Sequence, residues 1–349
     1  VAYTRHYKRV LIAFGLALGL LAGAQAQNLA GTMDYFEGQV ELVRESEVLD
    51  ASIMSFGESV YSGESVRTGA NGRAELSLRR SAGATVTVQG NTAYTLPEPA
   101  AGEEPKTAVR LLFGKVALAV DRAAGGEPVE VRSGTAVFGV RGTELDVMTS
   151  PDGALLMGVR EGQVSTRADR GTTVAAAGQA VEVLPSGSLS TIDVPEGRMS
   201  DFFQAWHNLR TEAFRRDPVF FTQNYLNRYR EERTRFRDAA SDLMSEADTI
   251  RRMGADDTGR AQRMQLRGAV APKVVAARSA LALYEESFFA LADLLNLLGP
   301  ADLSGLSESH RAATREFRAN QPAALQQLTQ VRRLLRLYDS FELSVPSFR

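Results

Sequence analysis

Residues 130–147 read EVRSGTAVFGVRGTELDV. Apolar residues fall at every second position from Ala136 to Val140 and again from Leu145 to Val147, the period of a strand with one buried face. Gly139 and Gly142 flank Val140 and Arg141. A glycine inside a strand pattern permits a bulge, a sharp bend or the close approach of another backbone. Thr143 suits a strand and can also hydrogen-bond locally. The alternation predicts a strand over 136–147.

The same texture extends in both directions. Short alternating runs occur at 39–43, 74–78, 84–88, 109–120, 129–131, 154–159 and 181–184. Turn signals separate them at 69–72, 125–126 and 151–153, and a stretch rich in Pro, Glu and Ala at 96–106 reads as an inserted loop. Strands at a spacing of roughly 8 to 12 residues, without helical stretches between them, predict a sandwich, roll or barrel. A tripeptide recurs as Gly38-Gln39-Val40, Gly114-Lys115-Val116 and Gly162-Gln163-Val164. It fits repeated strand entry better than a true duplication.

After Gly197 the period changes. Phe202, Trp206, Leu209 and Ala213 mark a helix ended by Asp217-Pro218. Asp217 as cap and Pro218 in the first turn open a second. Its stripe is Phe236, Ala240, Leu243, Ala247 and Ile250. A third carries Ala277, Leu281, Tyr284, Phe288, Leu291, Leu295 and Leu298, and a last one Ala324, Leu328, Val331 and Leu335. Steps of three and four give each helix one apolar seam, as in an antiparallel bundle. Pro272 and Pro322 fall inside these stretches and should kink them or mark a late start. The fold class expected is α+β in separate domains, an all-β sandwich or roll at 28–197 and a helical bundle at 198–349.

The first 26 residues read as a signal peptide. Arg5, His6, Lys8 and Arg9 precede a 13-residue apolar run from Val10 to Ala22, and Ala24-Gln25-Ala26 gives the small-x-small pattern before Gln27. A bilayer span needs about 20 apolar residues. Cleavage after Ala26 and a periplasmic protein are expected, with a retained inner-membrane anchor as the alternative. Cysteine is absent, which excludes disulfides, thiolate metal sites and a lipidated N-terminal cysteine. The net charge of −2 offers no field for nucleic acid. His207 and His310 stand alone on their helices, and no nucleophile–base grouping, phosphate loop or dinucleotide fingerprint is visible. No enzyme activity, cofactor or metal is expected. The sparse aromatics of the β region are expected in its core, and Trp206 is expected to dock the first helix.

Four landmarks in order, GESVRTG (63–69), LFGKV (112–116), the 131–147 stretch and VREGQV (159–164), resemble the FecR domain. The resemblance covers roughly Gly38 to Val183. It implies an envelope module that binds a protein or ligand, with Val140, Arg141, Gly142, Thr143, Glu161 and Gly162 as its motif residues, structural or partner-binding. Arg141 is read as an internal clamp onto carbonyls or a carboxylate such as Glu144, Asp146 or Glu161, the alternative being contact with a ligand anion. The best-known members relay an outer-membrane signal to a sigma factor through a cytoplasmic segment. Only nine residues precede the apolar run here, so direct sigma-factor contact is not expected. The function implied is an exported, non-enzymatic interaction or signalling protein with an envelope protein partner, its helices serving docking or homo-oligomer assembly. The alternative is a structural envelope component that binds cell-wall glycan.

Overall fold

The structure is a computed structural model and describes residues 29–44, 47–81, 83–97, 107–121, 128–134, 136–254, 258–299 and 302–341. Ala24, Ala26 and Gln27 of the expected cleavage site lie outside them. The fold is α+β: two β-sheets followed by helices.

One sheet, A, has the order β18-β17-β14-β13-β10-β7-β6-β1-β4, and the other, B, the order β16-β15-β12-β11-β9-β8-β5-β2-β3. Strands β1 (Leu29–Glu37), β2 (Val40–Arg44), β3 (Glu47–Asp50), β4 (Glu58–Tyr61), β5 (Ser65–Thr68) and β6 (Arg73–Leu78) open the series. They are followed by β7 (Ala84–Val88), β8 (Thr92–Thr95), β9 (Thr107–Phe113), β10 (Lys115–Val120), β11 (Val129–Ser133) and β12 (Ala136–Val140). The last six are β13 (Glu144–Thr149), β14 (Leu155–Glu161), β15 (Gln163–Ala168), β16 (Gly171–Ala176), β17 (Gln179–Val183) and β18 (Leu189–Asp193). Pairing is antiparallel except between β9 and β11, which run parallel. Alternate residues such as Leu76, Val86, Leu111, Val131, Phe138, Val147 and Val164 fill the space between the sheets. These are the positions that period-two alternation requires to be apolar.

The recurrent Gly-x-Val tripeptide is the device that closes the sandwich. Gly38 (φ 67°), Gly114 (φ 93°) and Gly162 (φ 82°) each stand where the chain leaves one sheet and enters the other. A side chain is disfavoured in that left-handed conformation, and the following valine turns inward at once. The runs expected as continuous strands over 109–120 and 136–147 are therefore divided. Each becomes two strands in different sheets, hinged at Gly114 and at Gly142 (φ 60°).

Among the described residues five helices follow: α1 (Met199–Arg216), α2 (Pro218–Met244), the short α3 (Ala247–Arg252), α4 (Arg260–Leu297) and α5 (Glu308–Ser340). The Asp217 carboxylate accepts from the Phe220 amide at 3.0 Å with Pro218 in the first turn, the expected cap. The chain breaks at Ser245-Glu246, so the seam from Phe236 to Ile250 is carried by two helices. Pro272 and Pro322 lie within continuous helices, α4 and α5. An aromatic cluster joins α2, α4 and α5: Phe236 stacks on Tyr284 (4.6 Å between centroids), and Tyr229 and Phe288 meet Phe317 at 4.9 and 5.3 Å. Leu281, Leu291 and Leu295 of the long seam are buried beside it.

The helices do not stand apart from the sheets. Ala93 and Leu112, on the outer face of sheet B, belong to the same apolar cluster as the bundle. On the outer face of sheet A, α1 lies over β14 and β17, where Met199, Phe203 and Trp206 pack against Ala154, Leu156 and Ala180. The face of α1 that is buried differs from the expected one, for Leu209 is 65% exposed. Gly158 decides this: a Cβ there would lie 2.5 Å from the Met199 sulfur and 2.6 Å from the Phe203 ring, so the helix seats where β14 has no side chain.

Candidate functional site

The 140–164 signature forms two nested corners. Val140 is buried at the end of β12, Gly142 turns the chain into β13, and Gly162 turns β14 into β15. A Cβ on Gly162 would meet the Gly142 carbonyl oxygen at 2.7 Å and Thr143 Oγ1 at 2.8 Å. The Thr143 hydroxyl, 1% exposed, lies 3.1 Å from the carbonyl oxygens of both Arg141 and Gln163 and ties the corners together. Glu144 and Glu161 face each other across a register shift and are exposed.

Arg141 is not the internal clamp expected of it. It sits on the outside of the corner, exposed, and among the described residues its side chain has no hydrogen bond or ion pair. The buried polar ties fall to its neighbours. Asp146, 1% exposed, accepts from Arg160 Nε at 2.6 Å, with Lys115 Nζ at 3.7 Å. Arg160 extends to Ser200 Oγ of α1 at 3.3 Å, and Lys115 lies over the Phe203 ring at 5.0 Å. Trp206 Nε1 donates to Glu182 at 2.7 Å, and Arg210 bridges Glu182 and Asp152. The signature residues thus build an outer-face charge network that fastens α1.

Fastening α1 on sheet A and α4 on sheet B leaves a cleft of about 720 Å³ between strands and helices. This is the size of a site for a small organic ligand. Apolar walls come from Leu112, Phe113 and Phe288, and polar groups from both regions converge on it. Arg67, pointing out of sheet B, stacks its guanidinium 4.4 Å from the centroid of Phe289, and burial lowers its pKa. Arg228 donates to Glu286 at 2.7 Å. His207 lines the cleft with its Nδ1 buried and unpartnered, and burial lowers its pKa. Burial likewise raises the Tyr225 phenol, which feels the charges of Asp152, Arg228, Asp293 and Glu286.

Burial pushes the Asp293 carboxyl up from 3.8 to about 6, with no compensating charge. A folded-state pKa above the unfolded one means stability present at low pH and lost as pH rises through that window. Asp293→Asn is therefore expected to remove a loss of stability between about pH 4 and pH 6, seen by comparing denaturant melts of the two proteins at each pH. Parallel stability curves would mean that the carboxylate is fully hydrated.

The expected motif residues and this cleft are distinct places. The corner residues Val140, Arg141, Gly142, Thr143, Glu161 and Gly162 are absent from the cleft lining, whereas Arg67, from the GESVRTG landmark, is in it. Phe138 and Tyr94 fill the sandwich core as expected, but Tyr35 and Phe56 are 40% and 68% exposed and stack on each other, with Phe36 tilted against Phe56. His310 lies in the first turn of α5, where its Nδ1 is 2.7 Å from Ser307 Oγ. Among the described residues no three His, Asp or Glu side chains group as a metal site, and no helix is long and apolar enough to cross a membrane.

Residues 64–165 match the family described as FecR protein. Two crystal structures of a protein from Parabacteroides distasonis ATCC 8503, provisionally described as an anti-sigma factor, are similar at 17% identity and a TM-score of 0.34. The matched region covers 40% of this chain and 64% of that one, so the chain spans just under two thirds of the length of those structures. No curated protein matches the chain.

Proposed function

The chain is a FecR-domain protein, and from that premise we propose that it is an exported, non-catalytic signalling protein of the bacterial envelope. Its reading site is the cleft between the FecR domain and the helices. The observation that carries this is the cleft itself: elements of both regions wall it, and it gathers charged groups that the fold leaves without partners. Binding there would bear on both regions at once, since strand residues such as Leu112 and Phe113 and helix residues such as His207 and Phe288 line the same opening. On this reading the chain divides into two units at Gly197, whose φ is 73° and where a Cβ would meet nothing within 4 Å. Export follows from the leader, with the mature chain beginning at Gln27.

A photo-crosslinking side chain at Leu297, which is 59% exposed on the cleft rim, tests this in cells. The expected result is a discrete adduct in the periplasmic fraction, on a protein whose N-terminal sequence begins at Gln27. An adduct at twice the chain's mass identifies the partner as a second copy. A cytoplasmic protein with its leader intact, or no adduct from any rim position, would overturn the reading. The glycan-binding alternative draws on the exposed Tyr35 and Phe56, with the half-buried Phe36 beside them. It predicts sedimentation with isolated peptidoglycan, abolished by Phe56→Ala.

A further inference from the structure

We propose that the cleft binds a small organic acid, its carboxylate held by Arg67 and its apolar body covered by Phe113 and Phe288. This rests on the reading of the cleft as the protein's reading site and names the input that is read there.

The aim of Arg67 carries the proposal. Its neighbour on β2 is Glu41, directly opposite in the antiparallel register. Opposite charges so placed ordinarily pair across the strands. Arg67 does not take that partner. Its guanidinium lies over the ring of Phe289 on α4, 4.4 Å from the centroid, and lines the cleft. Its neighbour on the other side, Ala93 of β8, has no polar side chain to offer. Among the described residues the half-buried Arg67 side chain makes no hydrogen bond or ion pair. A ring face answers the charge of a guanidinium but not its N–H donors, which are costly to enclose unmade. A carboxylate accepts two of those donors side by side, in the plane of the guanidinium.

The charges of the whole lining select a monoanion. Three arginines, Arg67, Arg215 and Arg228, stand there against two carboxyls, Glu286 and Asp293. Arg228 and Glu286 satisfy each other at 2.7 Å. Burial lowers the pKa of His207 and so favours its neutral form. The surplus is one positive charge, which a single carboxylate cancels. A phosphate monoester carries nearly two negative charges, exceeds that surplus and meets both carboxyls. An ammonium would have Asp293 to receive it, but both Arg67 and Arg215 to repel it. Arg215 is exposed in the last turn of α1, where water already solvates it. It adds to the field of the cleft, and the holding contact falls to Arg67. Leu112, Phe113 and Phe288 supply the apolar wall, and about 720 Å³ is room for a small organic molecule.

Calorimetric titration of the full mature chain with an octyl series tests this. The probes are octanoate, octanamide, octylammonium and octyl phosphate, with acetate as the acid that lacks the apolar body. Octanoate is expected to bind about tenfold tighter than octanamide, the value of one charge-assisted pair, and tighter than each of the others. Arg67→Met should bring octanoate down to the affinity of octanamide. Arg215→Met should weaken octanoate by about twofold at most, as for a screened charge in water. The probe series needs no variant, so it decides the matter even if Arg67→Met fails to fold. Any other probe binding as tightly as octanoate would overturn the proposal. So would a loss in Arg215→Met equal to that in Arg67→Met. If octanoate does not bind while Leu297 still yields its adduct, the acid assignment falls and the cleft remains a partner site. If octanoate binds as expected and no rim position yields an adduct, the acid site stands and the partner reading falls.

Discussion

Gly162→Val is expected to lower the stability of the protein by about 3 to 5 kcal/mol, the sum of a disallowed backbone conformation and a collision. At φ 82° a branched side chain is strained before any neighbour is considered. The neighbour is also rigid, for the added Cβ would lie 2.7 Å from the Gly142 carbonyl oxygen, part of the other corner's backbone. Urea melts of a series separate the two costs. Asparagine tolerates the left-handed region but carries a Cβ, so Gly162→Asn should remain destabilised by the contact alone. Gly162→Ala should be worse than Asn, and Val worse than both. A valine variant that melts with the parent would show that the corners are not nested. A parent-like asparagine variant would show that conformation alone fixed the glycine.

This corner also marks how far the sequence could be read. Period-two alternation at 74–78, 84–88 and 136–140 was sufficient for the strands, because each needs one face in the sandwich core. The Asp217-Pro218 cap and the seam through Leu281, Tyr284 and Leu291 were equally legible, since capping and burial act within a few residues. What alternation cannot show is which sheet a strand joins. Val109 to Val120 looks like one strand, and only the left-handed Gly114 reveals that it changes layer. The cleft was the least legible part. Arg67 and Asp293 are more than two hundred residues apart in the chain, and tertiary packing alone brings both to the lining of one cleft. A faint signal existed: Arg67 is a cation at an outward position of a short strand, and Asp293 is a lone acid between Leu291 and Leu295. Arg141 misled because its place in a recognisable motif suggested a clamp. It stands exposed on the outside of the corner, and the buried ties went to Thr143 and Asp146.

Asp146→Ala is expected to cost about 2 to 4 kcal/mol and to loosen α1 before the rest of the molecule. Removing one member of a buried ion pair leaves the others enclosed without compensation, typically at a cost of about 3 to 5 kcal/mol. Here the figure is reduced because the Arg160 side chain is 40% exposed and can turn to water. Lys115, at 16%, is less free to do so, held beneath α1 against the Phe203 ring. Added salt should restore little, since a pair this enclosed is weakly screened. Trp206, the only tryptophan, reports on the same helix from its seat beside Glu182. In the parent, its fluorescence and the far-ultraviolet circular dichroism should change together with denaturant. In Asp146→Ala the fluorescence should shift to the red first, because α1 has lost its tie to β13 and β14 while the bundle keeps its own core. Adding Lys115→Met should recover part of the loss by removing the stranded charge. His207 and Thr211 on α1 line the cleft, so the same variant should also weaken capture at Leu297 without altering any residue that faces the ligand. Coincident transitions with an unchanged midpoint would mean that α1 is held by its apolar face alone and that Asp146 serves only the sheet.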